Sequence, residues 1–96
     1  MIYNMIKNFK HKGLKKFFLT GSVVGIQPNH SARLRDMLAF LDTADCIEDM
    51  DLPGYHLHPL KGDRAGEHSI TVSGNWRIVF EFIDGDAYLV NYEDYH

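Results

Sequence analysis

Three short stretches of the chain concentrate side chains able to carry protons or hold a phosphate. They are His56-Leu57-His58-Pro59-Leu60-Lys61-Gly62-Asp63-Arg64, Asn75-Trp76-Arg77, and the closing Tyr92-Glu93-Asp94-Tyr95-His96. Considered as one set, they match the needs of RNA cleavage by its own 2′-hydroxyl. That reaction takes a base for the hydroxyl, an acid for the departing 5′-oxygen and cations for the charge that builds on the phosphorane. Histidine is the natural acid and base near pH 7, and Lys61 and Arg77 are available as cations. The plan calls for no metal and no cofactor.

Each stretch also has a plainer reading. His56-x-His58 has zinc-ligand types, but no Cys or third His stands at supporting spacing and Pro59 restricts the backbone. Gly62-Asp63 is good turn chemistry, so both histidines fit a strand surface next to a turn. Arg77 lies on the strand face opposite Trp76, Ile78 and Phe80, where it either pairs with Glu81 or projects into a site. Chain ends usually fray, yet the segment from Ala87 to Tyr92 reads as a paired strand that would hold the last residues in place.

The elements that must carry these residues follow from periodicity. Met5 to Lys10 alternates as a short first strand. Leu14, Phe17 and Phe18 give the spacing of a short amphipathic helix ending near Gly21. Pro28 suits the first turn of a second helix, whose apolar stripe is Leu34, Met37, Leu38 and Leu41. Beyond Asp51-Leu52-Pro53-Gly54 the period becomes two. His68, Ile70 and Val72 form one face, and Trp76, Ile78, Phe80 and Phe82 another. Ser73-Gly74-Asn75 and Asp84-Gly85-Asp86 supply the hairpin turns. The expected fold is α+β, with two N-terminal helices packed on one face of a curved, largely antiparallel sheet.

The 96 residues make one domain, 1–96, with residues 1–4 as an N-terminal extension because Met5 offers a second start. A single cysteine, Cys46, rules out an intramolecular disulfide. No apolar run reaches the roughly 20 residues of a membrane span, and nothing reads as a secretory signal, so the expected location is the cytoplasm. The net charge of −3 hides a polarised distribution: residues 1–40 hold seven of the ten Lys and Arg and one acid, Asp36. Lys12, Lys15 and Lys16, with Arg64 further on, are the candidate RNA contacts; solvation of one helix face is the alternative for the lysines.

The same segments carry a resemblance. Met5-Ile6-Lys7-Asn8-Phe9-Lys10-His11-Lys12-Gly13-Leu14-Lys15, Leu57-His58-Pro59-Leu60-Lys61-Gly62-Asp63-Arg64, the stretch from Gly66 to Asn75-Trp76-Arg77, and Tyr92-Glu93-Asp94-Tyr95-His96 resemble the HigB-type toxins of the RelE/ParE superfamily. The likeness covers Met5 to His96. It departs at Glu67-His68, where many relatives carry two aromatics, and at Ser73, where some carry a basic residue.

The resemblance implies a small RelE-like domain that cuts messenger RNA in the ribosomal A site. It also implies neutralisation by a HigA-type antitoxin, through which operator DNA would be met only indirectly. By motif it assigns proton transfer to His58 and His96, phosphate binding to Lys61 and Arg77, orientation of a histidine to Asp94, and stacking or nucleotide holding to Tyr95. Which histidine is the acid is left open. A ParE-like inhibitor of DNA gyrase is the competing reading, but such a protein would not need the His58, Lys61 and His96 set.

Overall fold

The computed structural model describes residues 5–94. The expected extension, residues 1–4, and the site residues Tyr95 and His96 lie outside the described residues. Helix α1 (Lys12–Thr20) and helix α2 (Ser31–Thr43) precede β1 (His58–Pro59), β2 (Glu67–Ser73), β3 (Trp76–Ile83) and β4 (Asp86–Asp94). The strands form an antiparallel sheet in the order β1-β2-β3-β4. The α+β architecture expected from the sequence is the one observed.

Local chemistry explains the boundaries. His11 caps α1, its Nδ1 accepting the Leu14 N–H at 3.0 Å, and Gly21 closes the helix in the left-handed region at φ +81°. Pro28 opens a single 3₁₀ turn, Pro28–His30, that leads directly into α2. Both helices bury the stripes that their spacing specifies: Leu14 and Phe17 from α1, and Leu34, Met37, Leu38 and Leu41 from α2. These pack on Ile70, Val72, Ile78, Phe80, Val90 and Tyr92, so one sheet face is core. The other face, bearing Ser69, Thr71, Arg77 and Val79, is left for the segment around β1.

Residues 6–9 run beside β4 as expected of a first strand, but they make only two isolated parallel bridges, Ile6 to Ala87 and Phe9 to Val90. The cause is a bulge in β4. Val79 pairs with Asn91 whereas Glu81 pairs with Tyr88, so β4 holds an extra residue. Leu89 takes it up at φ +52°. Its N–H is diverted to Asn8 Oδ1, which interrupts a continuous ladder.

Candidate active site

The segment that follows α2 folds over the free sheet face and encloses a cleft of about 680 Å³. His56, His58 and Lys61 line it from the segment; Ser69, Arg77 and Val79 line it from β2 and β3. Three of the residues singled out in the sequence, His58, Lys61 and Arg77, therefore meet in one cavity. Ser69 and Val79 are buried at 3% and 1% exposure and form part of the floor, while His56, His58 and Lys61 are exposed.

The segment is held by backbone and one arginine. Thr71 N–H donates to Tyr55 O at 2.7 Å and Leu60 N–H to Glu67 O at 2.9 Å. Arg33, from α2, donates through Nη2 to Gly54 O at 2.7 Å and Thr71 O at 2.9 Å, with its guanidinium over the Tyr55 ring. These ties deliver His56 in the left-handed region, at φ +50°. A non-glycine residue in that region is uncommon and tends to mark a site where the surroundings dictate the backbone.

On the floor, Arg77 Nη1 donates to Thr71 Oγ1 at 2.7 Å. Among the described residues no carboxylate lines the cleft, so Lys61 and Arg77 face it together with two imidazoles. Cations on the described walls of a concave surface favour a phosphate.

Arg64, expected among RNA contacts, is engaged differently. Its guanidinium lies between Glu67 and Glu93, with Nε to Glu67 Oε2 at 3.2 Å and Nη1 to Glu93 Oε1 at 2.9 Å. Arg64 holds the Glu93 carboxyl below the usual carboxylate range.

Asp94 ends β4 opposite Trp76, one residue beyond the Arg77–Glu93 pair. It is not among the residues lining the cleft, and its charge, after burial, helps to push the Tyr92 phenol up. Lys12, Lys15 and Lys16 are exposed on α1 and also stand outside the cleft wall. His56 is the addition: its proximity to His58 was visible in the sequence, but its place in the cleft depends on a backbone conformation that a sequence pattern does not convey.

The geometry can be set beside known proteins. Residues 7–96 match the HigB-like toxin family, described as the RelE-like toxin of type II toxin-antitoxin system HigB. The chain belongs to this family. It is also 55% identical over 92 residues to a protein of Proteus vulgaris named Endoribonuclease HigB, an alignment that covers 96% of this chain and the whole of that protein. A toxin of a type II system acts with an antitoxin as its partner. In this HigB-family chain, no helix among the described residues is long and apolar enough to cross a membrane.

Proposed function

We propose that this HigB-family toxin is an endoribonuclease that cuts translated messenger RNA in the ribosomal A site. The observation that carries the reading is the gathering of His58, Lys61 and Arg77 on one cleft whose walls, among the described residues, bear no carboxylate. The named activity of the Proteus vulgaris relative supports it. The partners proposed are the ribosome, messenger RNA and a HigA-type antitoxin, and the cytoplasm is where all three would be met.

In the proposed reaction one histidine, His58 or His96, takes the proton of the 2′-hydroxyl. The 2′-oxygen attacks phosphorus, the bond to the 5′-oxygen breaks, and the other histidine protonates that leaving oxygen. The products are a 2′,3′-cyclic phosphate and a free 5′-hydroxyl. Lys61 and Arg77 stabilise the phosphorane, a role in which loss of one donor typically costs about 10²–10³ in rate. Asp94 orients a histidine and Tyr95 holds a base by stacking. Side chains fill every role, which is why the proposal needs no metal.

The test is cleavage of a defined message on programmed ribosomes, with ends mapped for the intact chain, His58→Gln, Lys61→Gln and a chain lacking His96. Cuts within A-site codons should fall by about 10²–10⁴ in the histidine variants. An intact message with folded protein would overturn the reading and direct the next assay to DNA gyrase.

A further inference from the structure

Arg64 sits at one end of the 3₁₀ turn Gly62–Arg64 that begins immediately after Lys61. Glu93 stands in β4 opposite Arg77 and immediately before Asp94. Arg64 Nη2 donates to Glu93 Oε2 at 2.5 Å and to Glu67 Oε1 at 3.3 Å, in addition to the Nε and Nη1 bonds described above. Both carboxylates are thus gripped bidentately by one guanidinium, which suits the planar fork of arginine and not the point charge of lysine. Asn91 Nδ2 donates to Glu93 Oε2 at 3.1 Å and fixes that carboxylate from within its own strand.

Two consequences follow. Every N–H edge that Arg64 turns to these carboxylates is already taken, which leaves its guanidinium little capacity to bind a phosphate. The cluster also joins the two parts of the site that come from distant sequence: Arg64 and Glu93 are 29 residues apart. Lys61 is three residues upstream of one partner, while Asp94 adjoins the other. We propose that Arg64 is a positioning residue that fixes the Lys61 turn against the end of β4 through Glu67 and Glu93, and that it is not an RNA-phosphate ligand. Its role in cleavage rests on the ribonuclease reading above; the mechanical link does not.

Consistent with a stable clamp, both carboxylates raise the Arg64 guanidinium above its ordinary pKa, with Glu93 the larger contributor. Small displacements of reacting groups carry large kinetic penalties, on the order of 10²-fold for about 1 Å. A loosened clamp should therefore appear in kcat.

The experiment compares Arg64→Gln, Arg64→Lys, Glu93→Gln and the double variant Arg64→Gln/Glu93→Gln, using cleavage on programmed ribosomes together with amide hydrogen exchange. Arg64→Gln should lower kcat on the order of 10–100-fold while leaving KM and the salt dependence of RNA binding unchanged. Arg64→Lys should restore little of it. Glu93→Gln should act in the same direction, and the double variant should lose no more than Arg64→Gln alone. Exchange should speed up at residues 61–64 and 91–94.

A raised KM with unchanged kcat, a salt slope reduced by about 0.7, and rescue by lysine would instead make Arg64 a phosphate ligand. Faster exchange without a kcat effect would also overturn the positioning role. If the wild-type chain cleaves nothing, the ribonuclease reading fails, and the exchange data alone then decide the clamp. Unchanged exchange in both Arg64→Gln and Glu93→Gln would end it.

Discussion

Thr71 accepts a hydrogen bond from Arg77 through its side chain while its backbone binds both Tyr55 and Arg33. One β2 residue thus connects a cationic side chain on the cleft floor to the segment that carries His56 and His58. Thr71→Val keeps the shape and removes the acceptor, so Arg77 should lose orientation. Hydrogen bonds to charged groups contribute about 1.5–3 kcal/mol, so a fall in cleavage rate of about tenfold or more is expected. Thr71→Ser should retain most of the activity. Equal rates in Thr71→Val and the wild type would show that Arg77 is oriented without Thr71.

Helix α1 presents Lys12, Lys15 and Lys16 to solvent, away from the cleft wall. If they track an RNA backbone, replacing all three with Gln should weaken binding most at low salt. The slope of log affinity against log salt should drop by up to about 0.7 for each single-strand phosphate that is no longer neutralised. Stability should stay within about 0.5 kcal/mol, as for other exposed positions. An unchanged slope would place α1 outside the RNA interface.

The legible parts of the fold were those whose information is local. The α2 stripe of Leu34, Met37, Leu38 and Leu41 and the turns at Gly74 and Gly85 depend on residues a few positions apart. The first strand was less legible because its partner β4 bulges at Leu89, an effect that alternation within residues 5–10 cannot carry. The site followed the same division. His58, Lys61 and Arg77 stood out by residue type and motif, and the fold brings them together. Arg64 looked like one more cation, since its partner Glu93 becomes visible only when β4 is laid beside β3. His56 fits a strand surface beside a turn by sequence, and its left-handed backbone places it on the cleft.

Behind the site, His30 and Tyr92 form a buried polar pair, His30 Nδ1 to Tyr92 Oη at 2.6 Å, with Trp76 stacked on the Tyr92 ring. Tyr92→Phe keeps the aromatic volume and leaves that imidazole nitrogen without this partner. The expected penalty is about 1–3 kcal/mol. Near the transition, each kcal/mol lowers Tm by roughly 4–8 °C in a domain of this size. Thermal unfolding followed by circular dichroism should show the loss, while cleavage well below the transition should persist. An unchanged Tm would mean that the pair gains no more in the fold than it surrenders in hydration.

Stability should also depend on pH through two histidines whose protonated forms the fold disfavours. Burial lowers the pKa of His11 and of His68. His11 Nδ1 is occupied as the acceptor that caps α1, and His68 Nδ1 is buried without a hydrogen-bond partner among the described residues. Protonating His11 there would set an N–H against the Leu14 N–H.

In the unfolded chain both titrate near about 6.5, so below that value the unfolded state binds more protons than the folded one. Their contribution is complete above pH 6.5 and is lost progressively as pH falls toward the lowered folded values. The urea midpoint should therefore drop between about pH 7.5 and 5.5. His11→Asn keeps a side-chain acceptor at the cap and removes the titration, so its midpoint should change less over the same interval. Adding His68→Gln should flatten the profile further. A wild-type midpoint that stays level, or a His11→Asn profile as steep as that of the wild type, would show that the cap imidazole does not govern stability in this range.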